Sequence, residues 1–270
     1  GNIINVALNF FLIFGYWIFP KLGVEGAAIG TLIARFCMLF FIIFYLRLHK
    51  KLSVYIKRFF PSKLEIKRLK KILYLGLPSA LHSFFEVMFF ISAVWMSGFI
   101  GKNHQAANQI ALNLSSMTYM VALGVGVAAM IRVGNQRGMM NYIKLREVAL
   151  STILLIISID VVFCMIFLLF NDSLPLLYLD LNNPSNLTDV NQVLEIASKL
   201  LIVAGVFQLF DGIQAVVLGA LRGMQDVNKP AIIIFLSYGV IGFPISYYLG
   251  FYSSLSMVGI WLGLLSGLFS

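Results

Sequence analysis

A chain of 270 residues that is 60% hydrophobic, only 11% charged and of mean hydropathy +0.92 is far more apolar than a soluble domain of this size. Its formal charge of +9 would suit a nucleic-acid partner if the cations formed one patch, but they cluster in a few short loops, as membrane orientation requires. Nucleic acid is therefore excluded. So is a transmembrane β-barrel, since the apolar residues fall in spanning-length blocks and not in alternating dyads. What remains is an all-α, polytopic membrane protein.

Eight apolar segments follow one another. The first, 5–19, carries Asn5 and Asn9 on one helical face and ends at Pro20. The second, 24–46, opens with Gly26 and Gly30, whose spacing permits close helix contact. Arg35, its interior cation, either pairs with an acid, marks a cavity or snorkels to the interface. Cys37 here and Cys164 further on lie inside apolar runs without CxxC or His/Cys spacing, so they read as packing residues.

Ten Lys and Arg residues against the single acid Glu65 then fill 47–71, the strongest cytoplasmic signal in the chain. Leu64, Ile66, Leu69 and Ile72 among these cations predict an amphipathic helix on the inner leaflet, and the stretch is also the best candidate for a domain boundary. The third segment, 71–101, has one carboxylate, Glu86, about 22 Å along the helix from Lys71 and so near the bilayer centre. An acid there costs roughly 2.5 to 3.5 kcal/mol on insertion scales, and such acids face a cavity, an ion path or a partner.

The fourth segment, 104–132, places Gln109 and Asn113 one turn apart. The fifth, 148–170, carries Asp160 near its middle; the sixth, 193–221, carries Asp211; the seventh is 230–249 and the last 255–269. Alternating sides from a cytoplasmic start puts the basic stretches 47–71, 132–146 and 222–229 inside, and the acidic loop 171–192 outside. No cleavable signal peptide opens the chain. Gly26 and Gly30 also have counterparts in Gly259 and Gly263 of the last segment, and each pair follows a helix bearing a proline, Pro20 or Pro244. If this is a repeat, two halves run in parallel orientation, segments three to eight being one six-helix half and segments one and two the end of another.

Five stretches, LGVEGAAIGTLIAR at 22–35, GLPSALHSFFEVMFF at 76–90, IGKNHQAANQIALNLSSMTYMVALGVGVAAMIRVGNQRG at 100–138, LFDGIQAVVLGALRGMQD at 209–226 and SYGVIGFPISYYLG at 237–250, resemble the multidrug and toxic compound extrusion (MATE) family in family order. The likeness is to its bacterial drug and cation antiporter branch. It implies two six-helix lobes working by alternating access in the cell membrane: 1–47 as the last two helices of the N-lobe, 48–71 as a cytoplasmic linker and 72–270 as a nearly complete C-lobe, with the first four helices absent. It implies export of small organic cations in exchange for sodium or protons, with no cofactor, no enzymatic activity and a monomeric full-length protein. Glu86 and Asp211 fall where the branch has its coupling acids, and they would hold sodium if sodium is the coupling ion. At Phe207, one turn before Asp211, some relatives carry a tyrosine, so a hydroxyl ligand is missing here. The acid used in the first lobe falls within the absent helices.

Physics supports the same two acids, since carboxylates at similar depth can share a cation or a proton. Sodium would need further oxygens, from Gln109, Asn113 or backbone carbonyls, whereas a proton would need none. Phe84, Phe85, Met88, Phe89 and Phe90 are candidates for adaptable contacts to an organic cation. His82, one turn from Glu86, reads either as a proton relay or as a packed histidine. Asp160 is a further candidate without a recognised motif. A lipid-linked oligosaccharide flippase of related architecture is the alternative, but it calls for a cationic cavity. A membrane-embedded enzyme would need HExxH, GxSxG or a His-rich constellation, and none is present.

Overall fold

The computed structural model describes residues 2–15, 20–49, 65–179 and 187–270, and these are helical apart from short connections. The chain divides into two compact units, residues 1–66 and 67–270. The first holds α1 (Asn2–Phe14) and α2 (Val24–Leu48); the second holds α3 (Ile66–Ile100), α4 (Lys102–Gly138), α5 (Tyr142–Leu169), α6 (Leu187–Gly223), α7 (Asn228–Phe251) and α8 (Ser256–Phe269). Among the described residues six helices, α2 to α7, are long and apolar enough to cross a membrane. The centre of the predicted interfacial helix, 50–64, lies outside the described residues; Ile66, Leu69 and Ile72 belong to the first turns of α3.

In the first unit α1 and α2 form a hairpin. Asn5 donates to Thr31 Oγ1 at 3.1 Å and Asn9 donates to Asn5 Oδ1 at 3.2 Å, so the polar face read from the sequence is the seam between the helices. Gly26 and Gly30 lie against the Leu12 backbone and the Asn9 side chain. The opposite side of α2 exposes Phe36, Phe40, Phe41 and Phe44, as a lipid-facing surface should.

The same contact recurs at the other end of the chain. In α8, Gly259 lies against the Leu249 backbone and Gly263 against the Ser246 backbone, both on α7. Two glycines four apart thus press on two positions three apart in the preceding helix, Leu12 and Asn9 in one hairpin, Leu249 and Ser246 in the other. Without a hydrophobic driving force inside lipid, such close backbone packing is what holds neighbouring helices together.

The deepest packing in the second unit joins α4 to α6. A Cβ on Gly219 would strike the Gly126 carbonyl oxygen, and one on Gly223 would strike Met130 O. The two helices run in parallel: Lys102 at the start of α4 pairs with Asp189 at the start of α6 at 2.7 Å, and Asn103 donates to Asp189 at 3.1 Å. Both also end alike. The sequences Arg137-Gly138-Met139-Met140-Asn141 and Arg222-Gly223-Met224-Gln225-Asp226 close the two helices with the same motif. Asn141 N donates to Gln136 O and Asp226 N to Leu221 O, both at 3.0 Å, while Met140 and Gln225 take left-handed φ values of 55° and 57°. This second internal echo, eighty-five residues apart, went unread in the sequence because its identical positions are only three.

Against this pair, α8 buries Trp261, whose indole N–H donates to Asn108 Oδ1 at 3.0 Å. Met257, Ile260 and Leu264 are buried with it, beside Leu200, Leu201 and Phe207 of α6. α7 is wound as a π-helix from Phe235 to Gly242, immediately before Pro244, which cannot donate a backbone hydrogen bond. Gly242 lies within this wide stretch and receives the edge of Phe89.

Gly219→Ala is expected to destabilise the detergent-solubilised protein by about 1 to 3 kcal/mol through overpacking at the α4–α6 contact. Gly124→Ala, on α4 where a Cβ meets nothing within 4 Å, should stay within about 0.5 kcal/mol of the parent. Parallel thermal melts check this, and equal midpoints for the two variants would contradict the contact.

Candidate functional site

Glu86 and Asp211 line one cavity of ≈490 Å³ inside the second unit. α3 supplies Ser83, Glu86, Val87 and Phe90; α4 supplies Asn113, Ser115, Ser116 and Tyr119; α6 supplies Phe207 and Asp211. Helical spacing explains the α3 contribution, since 83, 86, 87 and 90 form one stripe. The volume falls in the range that holds small organic molecules, and the walls are mostly apolar with a few convergent polar groups.

Asp211 is 7% exposed and the Glu86 side chain 14% exposed. The tyrosine hydroxyl of Tyr119 donates to Glu86 Oε1 at 2.9 Å. On the other side Glu86 Oε2 is 3.9 Å from Nδ1 of His82. Glu86 and Asp211 thus share one cavity wall, while the Asp160 carboxyl lies against Gly212, the residue after Asp211.

The other sequence candidates separate by helix face. Asn113 lines the cavity, whereas Gln109, one turn away, is exposed and does not. Phe90 faces the cavity and meets Phe207 edge-on at 5.9 Å; Phe89 points away and stacks on Tyr238 at 4.6 Å. Phe85 packs on Phe235 at 4.9 Å, and Phe84 and Met88 are exposed. Phe207, itself 2% exposed, sets its ring between Phe90 and Trp261. Of the five-residue apolar set on α3, only Phe90 reaches the cavity, because five residues in nearly consecutive positions cannot share one side of a helix.

Asp160 is buried on α5 and its carboxyl rests against Gly212, where a Cβ would collide with Oδ2. It approaches Asp211 from the far side of α6 and does not line the cavity. Among the described residues its Oδ2 has no hydrogen-bond partner, nor do the two amide atoms of Gln208, buried one turn before Gly212. His82 is buried, lines a separate narrow crevice with Ser79, Arg222 and Asp226, and has Arg222 Nη2 at 3.2 Å from its Nδ1.

Among the described residues no three His, Cys, Asp or Glu side chains gather to hold a metal ion. A sodium ion at Glu86 and Asp211 would therefore draw its remaining oxygens from neutral groups such as Tyr119, Asn113, Ser115 or Ser116. The hydroxyl that Phe207 lacks is thus offered from another helix. Tyr119 is the candidate-site residue that the sequence alone does not single out. Its one available signal was its place in the polar stretch that follows Asn113.

Tyr119→Phe keeps the ring and removes the donor. Labelling of Glu86 by a hydrophobic carbodiimide, followed by mass spectrometry, should accelerate roughly tenfold, the equivalent of losing a charge-assisted hydrogen bond of about 1.5 kcal/mol. Unchanged labelling would mean that the hydroxyl does not restrain the carboxylate.

Residues 78–248 match the MatE family. The chain is 33% identical over 271 residues to a probable multidrug resistance protein NorM of Rhizobium meliloti, covering 99% of this chain and 56% of the relative. It is 33% identical over 268 residues to the corresponding protein of Bacillus cereus, covering 98% and 56%. Among solved structures a eukaryotic MATE transporter superposes with a TM-score of 0.84 at 20% identity, over 98% of this chain and 56% of that one. The chain thus spans a little over half the length of the relatives it matches. A multi-pass helical membrane protein with these stretches in this order belongs to the MATE family of transporters.

Proposed function

We propose that the chain carries the cation-binding lobe of a secondary active antiporter that exports small organic cations in exchange for protons or sodium. The observation that carries this reading is the meeting of Glu86 and Asp211 in one cavity with aromatic and aliphatic walls. Two acids that cannot be well solvated attract any monovalent cation small enough to enter, and Phe90 and Phe207 offer an organic cation a π-face that sodium or a proton does not need. The names of the NorM relatives support a drug-efflux role.

Exchange follows from sharing. While the acids hold protons or sodium, they have little attraction for an organic cation; once they are free, the cation binds. Each species displaces the other, so a gradient of one drives the other outward. By the positive-inside rule the basic ends of α4 and α6, with Arg132, Arg137, Arg222 and Lys229 nearby, face the cytoplasm, and the membrane is the cell membrane. The full-length protein acts as a monomer with two lobes.

Glu86→Gln or Asp211→Asn in the full-length protein is expected to reduce ethidium efflux from vesicles to background, while the variants remain inserted in the membrane in parent amounts. Efflux at the parent rate in the double variant would remove the two acids from the mechanism. Imposing sodium and pH gradients separately identifies the coupling ion.

A further inference from the structure

We infer that His82 transfers protons between Glu86 and the basic end of the second unit, and that Arg222 latches it. The inference rests on Glu86 being a coupling acid, as proposed above. It goes further in naming the route by which its proton leaves and what closes that route.

The ring of His82 lines a crevice and stands 3.9 Å from Glu86, which lines the large cavity, so it lies between two spaces without itself lining the larger one. On one side is the large cavity, lined by Glu86 and Tyr119. On the other is a crevice of ≈10 Å³, room for about one water, lined by Ser79, His82, Arg222, Asp226, Val227 and Pro230. Tyr119, Glu86, His82 and Arg222 form a continuous chain of polar contacts at 2.9, 3.9 and 3.2 Å, leading from the cavity to the end of α6. His82 Nε2 is buried and has no hydrogen-bond partner among the described residues, and the residue is only 4% exposed. A histidine placed merely for packing has no reason to stand between an acid and a guanidinium with one nitrogen unused.

The latch follows from donor and acceptor chemistry. A guanidinium carries donors and no acceptor, so Nδ1 must accept from Arg222 and the proton of the neutral ring sits on Nε2. The single lone pair on Nδ1 is then occupied, and Glu86 lies beyond hydrogen-bonding distance at 3.9 Å. Arg222 must withdraw before Glu86 can deliver a proton. Asp226, lining the same crevice, offers the guanidinium another carboxylate to sit on.

With Arg222 withdrawn, the Glu86 O–H bond breaks and an Nδ1–H bond forms, leaving a carboxylate and an imidazolium. The imidazolium then gives its Nε2 proton to the crevice water, which passes it on to solvent, and the ring is neutral again with its proton on Nδ1. Exchange of that proton for one on Nε2 through solvent resets the tautomer. One proton has moved, and no oxidant or reductant is involved. Imidazolium and a latched guanidinium repel one another, so the two states exclude each other. The charged and titratable groups facing His82 are Glu86 from α3 and Arg222 and Asp226 from the end of α6, with Tyr119 of α4 acting through Glu86.

The test uses the full-length protein in vesicles loaded with a pH-sensitive dye, with ethidium efflux driven by an imposed pH gradient. H82Q retains an oxygen for Arg222 but cannot carry a proton. It should slow pH-driven efflux about a hundredfold, the lower part of the range for a positioned proton-transfer group, and flatten the pH–rate profile, with ethidium affinity unchanged. R222Q should let protons enter without ethidium, read directly from the dye, and this readout stands even if H82Q fails to insert. Parent-like rate and pH profile in H82Q, or the absence of a leak in R222Q, would overturn the inference. Efflux driven by sodium and indifferent to a pH gradient would do the same. E86Q separates the two levels: if E86Q transports normally, the acid assignment itself fails, whereas a dead E86Q beside a parent-like H82Q removes the relay alone.

Discussion

The backbone contact between α4 and α6 sets the relative position of Tyr119, Asp211 and Arg222, the polar groups these two helices bring to the candidate site. Gly126 and Gly219 let the two helices touch, and Gly134 and Gly223 continue the contact toward the basic end. Tyr119 lies two turns before Gly126, and Asp211 two turns before Gly219, so both reach the cavity at related depths from adjacent helices. Arg222 adjoins Gly223 and is carried by the same register to His82. A side chain larger than hydrogen at Gly219 would push the helices apart, and the acids, the tyrosine and the arginine would separate with them. In a bilayer, where lipid tails are as apolar as leucine, nothing but such packing and a few interhelical hydrogen bonds would restore them.

Most of the fold was legible because the bilayer leaves few options. Spanning length, charge asymmetry and a handful of glycines were enough to place eight helices, and the observed helices differ from the expected segments mainly by extending beyond them at the ends. α3 starts at Ile66 and α5 at Tyr142, several residues before the apolar runs begin, since a helix does not stop where its side chains become polar. The repeat suspected from Gly26, Gly30, Gly259 and Gly263 has a physical meaning, because each pair presses on the helix before it in the same way. The RGM ending shared by α4 and α6 escaped notice, as three identical residues carry no weight until both are seen closing a helix with the same hydrogen bonds.

The site was legible only in part. A charge in an apolar run announces itself, and Glu86 and Asp211 were found on that ground. Tyr119 was not, because in a membrane helix a tyrosine is as much an apolar residue as a polar one until its hydroxyl is seen to donate to an acid. Nor could composition tell Phe89 from Phe90, although one stacks on Tyr238 and the other faces the cavity. That choice depends on the phase of α3 against its neighbours, which rests on packing and has no signature in an all-apolar stretch. Asp160 shows the converse: an acid conspicuous in sequence that lies behind the cavity, against Gly212.

The placement of Asp160 bears on how the proposed exchange would be tuned. Two of the three intramembrane acids share the cavity, and the third, Asp160, does not line it but rests against Gly212 beside Asp211. In the proposed exchange a cation would bind between Glu86 and Asp211 and not at Asp160, which does not line the cavity. If Asp160 holds a negative charge, it disfavours a charge on Asp211 without competing for the cargo; if it holds a proton, that influence disappears. The missing side chain at Gly212 is what lets the Asp160 carboxyl approach α6 beside Asp211. Buried polar groups with no partner, Asp160 Oδ2 and the Gln208 amide, are costly in a helix interface, and their cost falls when a proton or a water joins them. Any influence of Asp160 on the proposed exchange is therefore electrostatic and not through contact with the cargo, since its carboxyl meets α6 at Gly212, one residue from Asp211, and stays outside the cavity.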